Sequence, residues 1–197
     1  ANVGPANFYS EGFCDYPPGY LYVLGLQGLI GNLLNLTPGS AAYLVLLKLP
    51  AIASDAAICY LLYRMGCRAG KPSWALLAAA AWAMMPAALL DSAMWGQIDS
   101  VLALLILLVL DAFLQNNTKR AALLYGIAVM VKPQALMLGT IMLCGYALEV
   151  IENPKKGLKD LGIGIALCVA AMAVIALPFV IKQPFSFIFE KFFSTMS

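Results

Sequence analysis

Residues 161–180 read LGIGIALCVAAMAVIALPFV, twenty positions without one charged side chain. A helix needs about 20 such apolar residues to cross the hydrocarbon core of a bilayer. The rest of the chain has the same character: of 197 residues, 62% are hydrophobic and 11% are charged, and the mean hydropathy is +0.86. This composition is far too apolar for a soluble domain, so it predicts an all-α, polytopic transmembrane helical bundle.

Further apolar stretches precede this one, and together they predict about six spanning helices. We place these helices over roughly 40–63, 73–90, 100–115, 119–131, 134–151 and 158–181. Residues 20–36 are also apolar, but Gly25, Gly28 and Gly31 weaken them as a simple spanning helix. We therefore predict a juxtamembrane or re-entrant helix there.

The basic residues predict how the bundle is oriented. If each predicted span crosses once, eight of the twelve Lys and Arg residues fall on one side: Arg64, Arg68, Lys71, Lys119, Arg120, Lys155, Lys156 and Lys159. The positive-inside rule makes this side the cytoplasm. A span over 20–36 would move Arg64, Arg68 and Lys71 outside, which is a second reason to keep that helix at the membrane surface.

This orientation divides the chain into three parts. Residues 1–38 form an outer loop and the juxtamembrane helix, residues 39–181 form the transmembrane helical bundle, and residues 182–197 form an outer aromatic interfacial segment. The chain starts at Ala1 on a polar stretch without a leading hydrophobic helix. We expect it to be a fragment of a longer protein that has at least one more N-terminal helix.

Three motifs that carry acid, amide and base fall on the extracytoplasmic side: Asp15-Tyr16-Pro17-Pro18, Trp95-Gly96-Gln97-Ile98-Asp99 and Lys132-Pro133-Gln134. Each has a simpler interpretation: Asp15 and Asp99 as helix caps, Trp95 as a residue of the interfacial aromatic belt, and Lys132 as a snorkelling lysine. Trp also offers an apolar face, Gln a donor and an acceptor, and Asp an acceptor for hydroxyls. Together these groups fit a sugar or phosphate pocket.

The simpler interpretation of Lys132, as a snorkelling lysine, is the weakest of the three. The 13 residues of 119–131 rise about 20 Å, against a hydrocarbon core of about 30 Å, and Pro133 favours a break in the helix. Lys132 should therefore lie below the outer surface, where a lysine is costly unless an anion meets it. Because lysine is a good phosphate ligand, this position favours a functional role.

Lys48 and Asp55 are two further ionisable residues inside a predicted span, seven positions apart on a similar helix face. Either they pair with polar groups of the bundle, or they serve the site, because ionisable residues at membrane depth are functional candidates by default. Asp91 and Asp111 receive no role.

Composition argues against several other functions. The net charge of +2, with no basic stripe outside the loops, argues against nucleic-acid binding. Histidine is absent and the five cysteines form no CxxC pair, so no metal site is predicted. A divalent metal cofactor is chemically allowed but unsupported, because the clustered carboxylates that it would need are not evident.

Four segments resemble a known family. DYPPGYLYVLGL at 15–26, KLPAIASD at 48–55, MWGQID at 94–99 and VKPQAL at 131–136 occur in the same order and at similar spacing in bacterial polytopic GT-C-type glycosyltransferases. Over essentially its whole length the chain is similar to the group described as related to the GPI mannosyltransferases. More distantly, it resembles the dolichyl-phosphate-glucose-dependent glucosyltransferases and the protein O-mannosyltransferases.

The resemblance implies an inverting transfer of a mannose-like hexose from a polyprenyl-phosphate sugar in the bilayer. The acceptor would be a glycan, lipid or protein on the extracytoplasmic face of a bacterial plasma membrane. The residues that it implies for donor binding lie at the outer ends of helices: Asp15, Tyr16, Trp95, Gln97, Asp99, Lys132 and Gln134. Among them, Lys132 and Gln134 would hold the phosphate.

From the resemblance we expect the catalytic base to lie upstream of this chain. In these families the base is an aspartate of the first outer loop, upstream of DYPP, and here no acidic residue precedes Glu11. Asp15 is a fallback candidate. Two other functions stay open: a transporter or lipid flippase that couples through Asp55, Asp99 and Lys132, with inverted repeats and broken helices, or a non-catalytic membrane subunit.

Overall fold

Helices make up most of the computed structural model, which describes Tyr9 and residues 17–181. In chain order they are α1 (Pro18–Leu33), α2 (Ala41–Arg68), α3 (Pro72–Ala83), α4 (Pro86–Leu89), a π-helical segment (Leu90–Trp95), α5 (Asp99–Leu114), α6 (Thr118–Val131), a 3-10 helix (Pro133–Met137), α7 (Leu138–Glu152) and α8 (Pro154–Val180). Residues 17–181 contain no β-strand. The predicted all-α bundle is confirmed, whereas the predicted aromatic segment 182–197 lies outside the described residues.

Three helices within the described residues are long and apolar enough to cross a membrane: Ala41–Arg68, Pro133–Glu152 and Pro154–Val180. Pro72–Ala83 and Pro86–Trp95, which are bent by 45° relative to each other, form a fourth candidate as one broken span. Helices α5 and α6 match two of the predicted stretches but have only 16 and 14 residues. Where the sequence predicted about six spans, the bundle thus combines full-length spans with shorter helices.

The outer surface of the bundle is apolar. Large side chains point away from the protein on several helices, among them Leu33, Trp74 and Val174, with 80%, 71% and 70% of their surface exposed. Such extensive apolar exposure is unusual in a soluble monomer and suits contact with lipid. Together with the long apolar helices, it identifies an integral membrane protein.

One end of the bundle, which we call the basic end, gathers the loops that follow α2, α5 and α7. Arg68, in the last turn of α2, forms an ion pair with the buried Asp111 of α5, which also accepts a hydrogen bond from Gln115 Nε2 at 2.7 Å. The Tyr146 hydroxyl of α7 donates to the Thr118 carbonyl of α6 at 3.1 Å. These contacts join α2 to α5 and α6 to α7 at the end of the bundle where the sequence places its basic loops.

Helix α6 is the central helix of the bundle. Ala121 and Ala128 are fully buried, and a Cβ at Gly126 would lie 2.6 Å from the carbonyl oxygen of Cys168 on α8. Because small residues let helices approach closely in membranes, α6 packs tightly against its neighbours. This packing fixes the position of α6 in the bundle, and with it that of Lys132 at its end.

Helix α1 packs at the opposite end of the bundle, which we call the motif end. Pro50 lacks the N–H that would bond the Leu46 carbonyl within α2, and Gln27 Nε2 of α1 donates to this carbonyl at 2.8 Å. The Tyr22 hydroxyl of α1 donates to the Ile175 carbonyl near the end of α8 at 3.0 Å. Helix α1 is therefore anchored to both α2 and α8.

Candidate functional site

Segments of the three predicted motif regions pack together at the motif end. Tyr20 of α1, Ile98 before α5 and Val131 at the end of α6 form a buried cluster, with 5%, 4% and 6% of their surface exposed. A Cβ at Gly19 would lie 2.4 Å from the Met130 carbonyl oxygen, so a glycine is needed for this approach of α1 to α6. Tertiary packing thus brings to one place three segments that are far apart in the sequence.

Lys132 lies at a break between two helices. α6 ends at Val131, Lys132 is extended (φ −154°, ψ 126°), and Pro133 begins the 3-10 helix. The Lys132 ammonium forms an ion pair with Asp99 Oδ1; the lysine side chain is 14% exposed and the aspartate 52%. The capping interpretation required Asp99 to stand before a helix that starts at Ser100. Instead, α5 begins at Asp99 itself, and the Asp99 carboxylate pairs with Lys132.

The loop before α5 is held by main-chain hydrogen bonds and by Lys48. Gly96 adopts a left-handed conformation (φ +78°), which favours glycine. Its N–H and that of Gln97 donate to the Asp91 carbonyl at 2.8 and 3.0 Å. Lys48 Nζ donates to two carbonyls of the π-helical segment, each at 2.9 Å. Lys48 therefore positions the loop that carries Gln97 and leads to Asp99 at the start of α5.

Asp55 also has a partner inside the bundle. The Trp82 indole Nε1 of α3 donates to Asp55 Oδ1 at 3.1 Å. Lys48 and Asp55 both lie on α2, so the two residues tie this helix to the bent segment formed by α3, α4 and the π-helical segment. Their contacts hold the scaffold beside the site.

The other predicted binding residues differ in accessibility. Trp95 has 77% of its surface exposed, Gln97 is half-buried, and Gln134 is exposed on the 3-10 helix. In the sequence, Trp95 and Gln97 precede Asp99, and Gln134 follows Lys132. All three side chains have exposed surface that a bound molecule can contact. Asp15 and Tyr16 lie outside the described residues.

Asp91 is an acidic residue of this region that lies outside the three motifs. It interacts electrostatically with Asp99, Lys132 and Asp55. Its Oδ2 atom is buried and lacks a hydrogen-bond partner within the described part of the chain. The sequence signal for Asp91 is a lone carboxylate at the end of an apolar stretch, four residues before Trp95.

A cavity of about 230 Å³ lies between α6, α7 and α8 and is lined almost wholly by apolar side chains such as Met142, Leu161 and Val169. It contains none of the predicted site residues, so it does not mark the candidate site. Among residues 17–181, no three or more Cys, Asp or Glu side chains are grouped closely enough to hold a metal ion.

The geometry is suited to binding an anion next to a group rich in hydroxyls. A lysine fixed by a carboxylate at a helix break supplies positive charge. Carboxylate and amide groups on the same loop supply hydrogen bonds, and an exposed tryptophan supplies an apolar face.

In the comparison with known protein families, the model described as glycosyltransferase family 87 matches residues 13–197. The matched range includes all three motifs. No match is found among curated proteins or among solved structures.

Proposed function

The chain belongs to glycosyltransferase family 87, and on this premise we propose that it is a GT-C-type hexosyltransferase of a bacterial plasma membrane. It moves a mannose-like hexose, with inversion, from a polyprenyl-phosphate sugar to an acceptor glycan, lipid or protein on the extracytoplasmic face. The observation that carries the proposal is the convergence of the three motif regions at the end of the bundle opposite the basic residues.

Helix lengths support a reaction site below the outer membrane surface. At about 1.5 Å per residue, α5 and α6 rise about 24 Å and 21 Å, against a core of about 30 Å. With the basic end in the cytoplasm, the Lys132–Asp99 pair lies inside the outer leaflet. There it meets a lipid-linked substrate from the side of the bilayer, and α1 lies over the bundle as a juxtamembrane helix.

Lys132 serves the leaving phosphate. Its ammonium has three N–H donors, of which the ion pair with Asp99 uses one, so two are left for phosphate oxygens. In the displacement, the acceptor hydroxyl attacks the anomeric carbon while a base takes its proton. The bond from this carbon to the phosphate oxygen breaks, and the electron pair goes to the phosphate. A fixed cation stabilises this developing charge.

The remaining motif residues serve the sugar and the base. Trp95 offers its exposed face to the sugar ring, Gln97 contacts sugar or phosphate, and Gln134 adds a phosphate contact beside Lys132. Asp15 and Tyr16 shape the outer loop. We place the catalytic base in that loop upstream of Asp15, with Asp15 itself as the fallback.

The test is the transfer of radiolabelled sugar from a panel of polyprenyl-phosphate sugars, with the full-length protein in liposomes. Lys132→Ala should lower transfer by about 100- to 1000-fold, as loss of a transition-state charge stabiliser does in other enzymes. Lys155→Ala, which removes an exposed lysine at the basic end, is the matched control and should keep wild-type transfer.

Two outcomes contradict the proposal in different ways. Transfer that survives Lys132→Ala would remove the phosphate role from this lysine. A well-folded wild-type protein that uses no donor of the panel would exclude the transferase and favour a transporter, flippase or non-catalytic subunit.

A further inference from the structure

The π-helical segment Leu90–Trp95 holds Asp91 in a fixed position beside the Lys132–Asp99 pair. The Asp91 carbonyl accepts hydrogen bonds from the N–H groups of Gly96 and Gln97. These two bonds close the turn that leads into α5. Turns of π-helix are rare and occur frequently at functional sites. The backbone of Asp91 is thus part of the motif loop, although Asp91 lies outside the motif itself.

Asp91 carries one of the two side-chain oxygens that are buried without a hydrogen-bond partner among the described residues; the other is Gln27 Oε1 of α1. Oδ2 has no hydrogen-bond partner within the described residues. Folded proteins leave few buried polar atoms in this state, because a donor or acceptor that loses water without a replacement destabilises the fold. A site that awaits a ligand is one physical reason to keep such an atom.

The surrounding charges restrict what that ligand group is. Lys132, the cation that interacts with Asp91, is already paired with Asp99, and Asp55 adds a further negative charge nearby. An ionised phosphate oxygen has no hydrogen that it could donate to Asp91 Oδ2. A carboxylate accepts hydrogen bonds and donates none, so Asp91 Oδ2 is satisfied by a hydrogen-bond donor, and a hydroxyl is the donor that a sugar supplies.

We propose that Asp91 is a substrate-binding residue that accepts a hydrogen bond from a hydroxyl of the transferred sugar. This inference rests on the proposed function and deepens it: Lys132 binds the phosphate, and Asp91 binds the sugar on the other side of the bond that breaks. In this role Asp91 takes no proton from the acceptor, so it is distinct from the catalytic base.

The experiment compares the full-length wild-type protein with Asp91→Asn in liposomes. The donors are the polyprenyl-phosphate hexose that the wild type uses and its monodeoxy analogues. Asp91→Asn should lower kcat/KM by about 10- to 100-fold, as expected for loss of a hydrogen bond to a charged group. One deoxy analogue should lower wild-type kcat/KM by a similar factor yet lower that of Asp91→Asn little further.

Thermal unfolding in detergent separates this role from a structural one. Because Oδ2 has no partner to lose, Asp91→Asn should unfold at the wild-type temperature or above it while transfer falls. The matched control is Glu152→Gln, which makes the same chemical change at an exposed residue of the basic end. It should leave both kcat/KM and Tm unchanged.

Each other outcome overturns the inference in a recognisable way. Unchanged kcat/KM in Asp91→Asn, with an active wild type, removes the role of Asp91 and leaves the proposed function standing. A lower Tm alongside the lost activity shows a structural residue. If Asp91→Asn lowers kcat and each deoxy analogue lowers kcat/KM by the same factor in both proteins, Asp91 acts as a base and not as a sugar-binding residue. A wild type without any transfer overturns the proposed function and this inference with it.

Discussion

The Lys132–Asp99 ion pair should stabilise the bundle by a measurable coupling energy. Charges about 4 Å apart attract by about 1 kcal/mol in water and about 4 kcal/mol at an effective dielectric constant near 20. The lysine side chain is 14% exposed and the aspartate 52%, so this pair lies between a surface pair and a buried one. We expect a coupling of about 1–3 kcal/mol.

A double-mutant cycle measures this coupling. Free energies of unfolding are needed for the wild type, Lys132→Met, Asp99→Asn and the double variant, from titration with a denaturing detergent followed by circular dichroism. Asp99→Asn should be the more damaging single change, because it leaves a largely buried ammonium unpaired. The double variant should be more stable than the sum of the single changes predicts.

The Lys156–Glu149 pair of the same chain provides the matched control. Its lysine is 63% exposed, so the same cycle with Lys156→Met and Glu149→Gln should give a smaller coupling that added salt weakens further. A coupling for Lys132 and Asp99 no larger than that of the control would refute the reasoning. The short α6 would then not hold Lys132 in a low-dielectric setting, and its assigned phosphate role would lose this physical basis.

Two further substitutions test contacts that position the site. Gly19→Ala should destabilise the protein by about 1–3 kcal/mol because the added Cβ would lie 2.4 Å from the main chain of α6. Gly28→Ala on the same helix is the control: its Cβ would have nothing within 4 Å, so the change should be neutral or slightly stabilising. Trp82→Phe should cost about 1–3 kcal/mol by removing the indole donor of Asp55, whereas Trp74→Phe, at a residue 71% exposed, should change little. Thermal unfolding in detergent measures all four variants, and equal effects within either pair contradict the assigned contact.

Hydropathy predicted helix positions well wherever an apolar stretch ends at charged or helix-breaking residues. The stretches at 100–115 and 119–131 correspond to Asp99–Leu114 and Thr118–Val131. The stretch at 73–90 is instead divided, because Pro86 disfavours a helical conformation at Met85, which is extended (φ −69°, ψ 114°). That break was readable from the proline, whereas its 45° bend depends on packing.

The sequence did not predict which residues of the site contact one another. The short α6 required an anion near Lys132, but Asp15, Asp91 and Asp99 were all on the predicted outer side. Which carboxylate pairs with the lysine depends on the rotation and depth of each helix. These are set by close contacts such as that of Gly19 with α6, and such contacts join residues that are distant in the sequence.

The sequence by itself determined the all-α membrane bundle, the break at Lys132 and the distribution of basic residues between loops. These properties follow from local composition, because a bilayer selects long apolar helices and proline interrupts them wherever it stands. Only the tertiary structure decided that Tyr20, Ile98 and Val131 share one cluster and that Asp91 keeps a buried oxygen without a partner among the described residues. Such features arise from how helix surfaces fit together, which no single segment specifies.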